Sequence, residues 1–274
     1  MSQYDKDGDG FFPEEDDVDN TGFEDEFDEE LEEMRRGRSV LVRVVAFFTA
    51  VAFLGLVVLT SLPAFRAPLS ELVAESLQLE KDINVKQLQR AVVQINVVAR
   101  ESIAAQQKSG TGFNIDPRGV IVTNHHVIEN AQNMTIKFPN GDIFKADHWS
   151  SRPEIDLAVI GLKGESLPAV PLDSSGFPSR GDKIRVVGNP LGLNNIVAEG
   201  RVKDYLQLKD RPGRIFTIDA PIYRGNSGSP VFNREGRVVG VIFATWNRES
   251  QGKNDKVGLA IPVQEVLQMN KSFS

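Results

Sequence analysis

Three patterns of apolar and polar positions succeed one another along the chain, and each predicts a different kind of element. Residues 44–62 form an uncharged run of nineteen, interrupted in its apolar character only by Thr49, Gly55, Thr60 and Ser61. At roughly 1.5 Å per residue such a run reaches about 28 Å as a helix, close to the hydrocarbon thickness of a bilayer. A helix apolar all round for that length reads as a single transmembrane anchor, spanning 39–62 with its flank. A cleaved secretory leader is the competing reading, but the run is long for one, lies deep in the chain and lacks an Ala-x-Ala exit. From 68 to about 89, Leu69, Leu72, Val73 and Leu77 fall near i, i+3, i+4 and i+8 and predict a helix with one apolar stripe. That stripe suits a stalk, or a helix packed on the domain, and is too short for a coiled coil.

After residue 90 the period shortens to that of strands. The runs 92–98, 112–115, 120–123, 134–138, 143–148 and 157–161 are β-rich and bounded by turn residues. So are 183–187, 196–202, 214–219, 230–232, 238–245 and 257–261. Asn140-Gly141 between two runs marks a hairpin, and Asp116-Pro117-Arg118-Gly119 a turn. A dozen short strands with few helical patterns predict an all-β domain of barrels or sandwiches.

Charge divides the chain unevenly. Residues 1–34 hold sixteen Asp/Glu against Lys6 alone, whereas the remainder carries 22 acids and 30 bases. Such a tail cannot bury enough apolar surface to offset chain entropy, and 1–38 is read as a disordered acidic segment. Asp5-Lys6-Asp7-Gly8-Asp9-Gly10 matches the first half of an EF-hand loop with Asp16 at the twelfth position, but no entering helix precedes it and Pro13 interrupts it. A solvated tail and a calcium loop both stay open. Arg35, Arg36, Arg38 and Arg43 precede the apolar run and Arg66 alone follows it closely. The positive-inside rule therefore puts the tail in the cytoplasm and everything after Pro63 outside the cell membrane. The part beyond the anchor is only mildly basic and has no basic cluster, which gives no case for nucleic-acid binding. There is no cysteine, so disulfides and thiol catalysis are excluded. Three histidines without a ligand spacing make neither a metal site nor a cofactor expected.

Candidate chemistry centres on Arg224-Gly225-Asn226-Ser227-Gly228-Ser229-Pro230. A serine between glycines, just before an apolar strand, suits a nucleophile set at an oxyanion hole, and equally suits an ordinary turn. Two other stretches bear on the choice: His125-His126, and Asp156 at the head of the apolar run 157–160. A serine hydroxyl needs a base to take its proton, and that base needs an orienting group. The chain order His, Asp, Ser is one of the known triad orders.

Taken together, Gly110-Thr111-Gly112-Phe113, Thr123-Asn124-His125-His126-Val127, Asp156-Leu157-Ala158-Val159, Gly188-Asn189-Pro190-Leu191-Gly192, Asp219-Ala220-Pro221-Ile222 and Gly225-Asn226-Ser227-Gly228 resemble the HtrA/Deg family of trypsin-like serine proteases. The resemblance implies two six-stranded antiparallel barrels over 85–274, with the active site in the cleft between them and 63–84 as a stalk. It implies His126, not His125, as the base, Asp156 as its orienter, Ser227 as nucleophile, and the amides of Gly225, Asn226 and Ser227 as the oxyanion hole. It gives His148 no role. Pro221, Ile222 and Tyr223, with Phe243 and Ala244, are expected to line the first specificity pocket. None is acidic, so small or medium aliphatic residues are expected there. The family implies misfolded or exported protein substrates and a homotrimer. Only twelve residues follow Pro262, so the PDZ domain common in the family is not expected. Ser229, where the family usually has glycine, and Tyr223-Arg224 are departures that bear on the geometry of the nucleophile loop. The alternative is a membrane-tethered binding or chaperone-like module whose protease fold is at rest.

Overall fold

The structure is a computed structural model and describes residues 43–53, 70–79, 83–101, 104–209, 211–250 and 253–273. The acidic tail, the calcium-loop pattern and the second half of the apolar run lie outside them. The chain divides into two compact units, Met1–Arg66 and Ala67–Ser274. In the first, residues 43–53 are helical, and Val44, Val45, Phe47, Phe48, Val51 and Phe53 are exposed on that helix. Among the described residues no helix is long and apolar enough to cross a membrane.

The second unit opens with two helices, α1 (70–79) and α2 (Ile83–Arg90), where the stripe predicts one. Leu72 and Ser76 are buried while Leu77 is exposed, so the inward side of the helix keeps Leu72 but is rotated away from Leu77. Ser76 explains the difference, because its hydroxyl accepts the backbone N–H of Val197 at 3.0 Å. The helix is packed on the domain.

The first sheet runs through β1 (Val92–Glu101), β2 (Ala104–Asn114), β3 (Val120–Thr123), the single-turn α3 (His125–Ile128), β4 (Ala131–Lys137), β5 (Ile143–Lys145), β6 (His148–Arg152) and β7 (Leu157–Gly161). Its order is β5-β4-β1-β2-β3-β7-β6, antiparallel throughout. This corrects the expected first six-stranded barrel: the sheet has seven strands and its ladder does not close. The predicted run 143–148 breaks at Ala146-Asp147, where Ala146 N–H donates to Met134 C=O on one side and Asp147 N–H to Gly161 C=O on the other. One stretch of chain thus leaves β4 and joins β7, so the two edges of the sheet are joined by a two-residue bend.

The second sheet is the expected closed barrel of six. It comprises β8 (Lys183–Gly188), β9 (Ile196–Gln207), β10 (Arg214–Ile218), β11 (Pro230–Phe232), β12 (Val238–Ser250) and β13 (Lys253–Pro262), in the order β10-β13-β12-β11-β8-β9. Helix α4 (Val263–Phe273) follows.

Side-chain alternation divides the core. Val93, Ile95 and Val97 of β1, with Ala158 and Ile160 of β7, fill the first sheet's interior. Val92 of β1 and Leu157 and Val159 of β7 point the other way, into a second cluster shared with Val187, Phe232, Val241 and Ile261. Strand β7 is buried at all five positions because both of its faces are covered. This shared cluster sets the two sheets against each other and fixes where their loops meet.

Candidate active site

Asp156 enters the site at a backbone kink. It ends the one-turn helix Pro153–Ile155 with φ 52° and ψ 45°, a left-handed conformation that aspartate tolerates better than most residues. The kink turns the chain into buried β7 and leaves the carboxylate outside that strand. Asn124 fixes it further by donating its side-chain amide to Asp156 C=O at 2.9 Å.

The carboxylate meets His126 three times. His126 N–H donates to Oδ1 at 3.0 Å, and the ring Nδ1 lies 2.8 Å from Oδ2 and 3.1 Å from Oδ1. This sets Nδ1 as the donor and leaves Nε2 free to accept a proton. Neighbouring His125 turns elsewhere, its Nδ1 lying 3.0 Å from Ser151 Oγ on β6. Val127 and Ile128 bury the other side of the same turn. His148 stacks its ring on Phe273 at 4.9 Å between centroids.

Ser227 lies in the loop from β10 to β11, and that loop is stitched to β2 of the other sheet. Thr111 N–H donates to Ser227 C=O at 3.0 Å, and the Thr111 hydroxyl donates to Gly225 C=O at 2.7 Å. The same hydroxyl accepts the N–H of Asn189 at 3.0 Å. Gly228 has φ +84°, and a Cβ there would sit 2.0 Å from Thr111 C=O, so only glycine fits. Gly225 also has positive φ, 99°. Among the described residues the N–H groups of Gly225 and Ser227 donate to no protein acceptor, whereas Asn226 N–H is spent on Tyr223 C=O at 3.1 Å. The first two amides are therefore the ones available to an oxyanion.

His126, Gly225 and Ser227 line one cavity of about 540 Å³ together with Arg224, Asn189 and Gln94. Among the described residues no hydrogen bond joins Ser227 Oγ to His126. The five residues expected to form the first specificity pocket, Pro221, Ile222, Tyr223, Phe243 and Ala244, do not line this cavity. Ile222 is packed in the barrel core, and Phe243 lies under the guanidinium of Arg211 at 5.0 Å. Arg211 also donates to Ile155 C=O, the peptide just before Asp156. Burial pushes its guanidinium down from its ordinary value, against the charges of Asp156 and Glu265. Thr111, Asn189 and Arg211 are the supports that motif reading leaves without a role. Among the described residues no group of three His, Asp or Glu side chains gathers to hold a metal ion.

Comparison with known proteins bears on this geometry. Residues 110–241 match the trypsin-like peptidase domain family. The putative serine protease HhoB of Synechocystis is 33% identical over 165 residues, covering 58% of this chain and 38% of that protein. The serine endoprotease DegS of Escherichia coli is 31% identical over 160 residues, covering 57% and 45%. The chain thus spans less than half the length of these curated relatives. Among solved structures, the serine endoprotease of Yersinia pestis superposes with a TM-score of 0.58 at 28% identity, over 69% of this chain and 64% of that one. The HtrA-type protease AlgW, solved with a tripeptide, gives 0.61 at 26% identity, over 69% and 62%. Residues 110–241 thus match a trypsin-like peptidase domain, and the relatives and solved structures that the chain resembles carry the names of serine proteases of the HtrA/Deg type.

Proposed function

We propose that the protein is a serine endopeptidase that hydrolyses peptide bonds of protein substrates with His126, Asp156 and Ser227. The observation that carries this reading is the His126–Asp156 pair at 2.8 and 3.1 Å, whose imidazole lines the same cavity as Ser227 and two undonated amides. Ser227 Oγ attacks the scissile carbonyl as His126 Nε2 takes its proton, and Asp156 holds the imidazolium that forms. The amides of Gly225 and Ser227 receive the developing oxyanion. His126 then protonates the leaving amine, and water hydrolyses the acyl-enzyme with the roles repeated.

A second reading, a protein-binding module at rest, draws on the missing bond between Ser227 and His126. Against it, such bonds are often long in unliganded sites and tighten on substrate. Casein cleavage and fluorophosphonate labelling of the full chain separate the two. Both should vanish in Ser227→Ala, fall by at least about a hundredfold in His126→Gln, and survive in His125→Gln. A folded chain that neither cleaves nor labels refutes the protease.

The proposal extends to a single-pass anchor over 44–62 in the cell membrane, with the N-terminus cytoplasmic and the protease domain outside. Its supports are the uncharged run, the exposed apolar side chains on helix 43–53 and the arginines before it. Extraction by alkaline carbonate would refute it.

A further inference from the structure

The catalytic cavity does not end at the triad. Its wall residues Gln94 and Asn189 also line a second cavity of about 610 Å³, so the two are contiguous. Three cations face the second cavity, Lys86 and Arg90 from α2 and Lys137 from β4, and among the described residues no carboxylate lines it. Asp142, just past its rim, is held by Asn140, whose side chain bonds both its carboxylate and its N–H. Lys137 is the cross-strand partner of Gln94, which carries the cationic surface directly to the catalytic cavity.

The floor is built rather than incidental. Asn189 is buried; it donates its side-chain amide to Val93 C=O at 3.1 Å and accepts Asn195 N–H at 2.9 Å. Gln89 in turn donates to Asn195 C=O at 2.8 Å. Lys86, Gln89 and Arg90 stand at i, i+3 and i+4, on one side of α2, whereas Val85 and Leu88 pack the helix on the core. Arg90 at the last turn complements the helix dipole, but that accounts for neither Lys86 nor Lys137. Two like charges at i and i+4 repel and weaken the helix. An acidic ligand would offset that cost.

Direction follows from the chemistry. His126 protonates the leaving amine, so the leaving segment starts against a wall of this cavity, which His126 lines with Val127 and Gly110. We infer that this cationic groove binds carboxylate side chains in the substrate segment that follows the scissile bond. The inference rests on the proteolytic reading above, and it makes the enzyme selective for acidic sequence beyond the cut.

The test uses the full chain and one casein-derived fluorogenic peptide, with Glu-Glu, Gln-Gln or Lys-Lys pairs scanned over the second to sixth residues after the cleaved bond. The ratio of kcat/KM for Glu-Glu over Gln-Gln should reach about three- to tenfold at its best position, the size expected of a few exposed ion pairs. It should shrink between about 0.05 and 0.5 M salt as screening shortens. The combined variant Lys86→Glu, Arg90→Glu, Lys137→Glu should invert the ratio toward Lys-Lys, which a merely structural role would not do. Fluorescence anisotropy of the same peptides on the Ser227→Ala chain reads the groove without turnover. Equal cleavage of the three peptides, with equal binding, overturns the groove and leaves the protease standing. Selective binding of Glu-Glu without any cleavage upholds the groove and removes the protease. If the triple variant fails to fold, a preference in the native chain that ignores salt still overturns the inference.

Discussion

Thr111 is the strut between the nucleophile loop and the rest of the fold, and replacing it with valine isolates that role. The side chain is fully buried, and its hydroxyl serves two partners at once, Gly225 C=O and Asn189 N–H, at 2.7 and 3.0 Å. Thr111→Val keeps the branched shape and the backbone bond to Ser227 C=O but leaves both partners without a bond. An orphaned buried group costs about 1–3 kcal/mol, so the pair costs roughly 2–6 kcal/mol if nothing moves. The loop can relieve part of this by swinging Gly225 C=O toward the catalytic cavity. That swing turns the Gly225–Asn226 peptide and takes Asn226 N–H off Tyr223 C=O, which would displace the flanking Gly225 and Ser227 amides, and one lost oxyanion donor is worth about a hundred- to a thousandfold in kcat. The loss must therefore appear in stability, in catalysis, or split between them. Urea unfolding reads the first through a shift in midpoint at constant slope, and the rate of fluorophosphonate labelling reads the second. Thr111→Ser is the control, since it keeps the hydroxyl, removes one methyl at about 1 kcal/mol, and should label at the native rate. A Thr111→Val chain within about 0.5 kcal/mol of native that also labels normally would refute the strut, since that is the spread of inert substitutions.

Two further substitutions probe the frame. Ser229 Oγ is buried beside the nucleophile loop and has no hydrogen-bond partner among the described residues. Ser229→Ala should therefore stabilise by about 1 kcal/mol and raise Tm by roughly 2–4 °C, and a lower Tm would show that the hydroxyl is bonded after all. Asp173, in the connection between the two sheets, is tied to the turn from β11 to β12: it accepts the N–H and hydroxyl of Ser175 and the side-chain amide of Asn233. The Ser175 hydroxyl bond foremost, with help from Arg237 and Asn233, holds its carboxyl below the usual range against the effect of burial. A lowered folded value contributes stability that is complete above the ordinary pKa of about 3.9 and is lost as pH falls through the lowered one. Asp173→Asn should lower stability at neutral pH and make the decline below about pH 4 shallower, and thermal scans with unchanged acid slopes would contradict this.

What the sequence determined by itself was local. Alternation marked ten of the strands that build the two sheets closely enough to place them, and Asn140-Gly141 does turn β4 into β5, with Gly141 at φ 98° and Gly141 N–H donating to Phe138 C=O. An acid heading a wholly apolar run is costly unless paired, which singled out Asp156 before any partner was visible. The two histidines were separable only by family resemblance. In the structure, neighbours on a helical turn project about 100° apart, so one of them meets Asp156 and the other Ser151. The rest was decided by pairings between residues distant in the chain. The break at Ala146-Asp147 arises because one stretch must serve two strands, β4 and β7, and nothing local records that. Ser76 shifts the buried side of α1 away from Leu77 while Leu72 stays inside, for the sake of an amide 121 residues away. Thr111 braces a loop 114 residues on, and Lys137 joins Lys86 and Arg90 only because β4 pairs with β1 beneath α2. Periodicity reports which face of an element is buried. It cannot report against what, because the partner's identity enters only through tertiary packing.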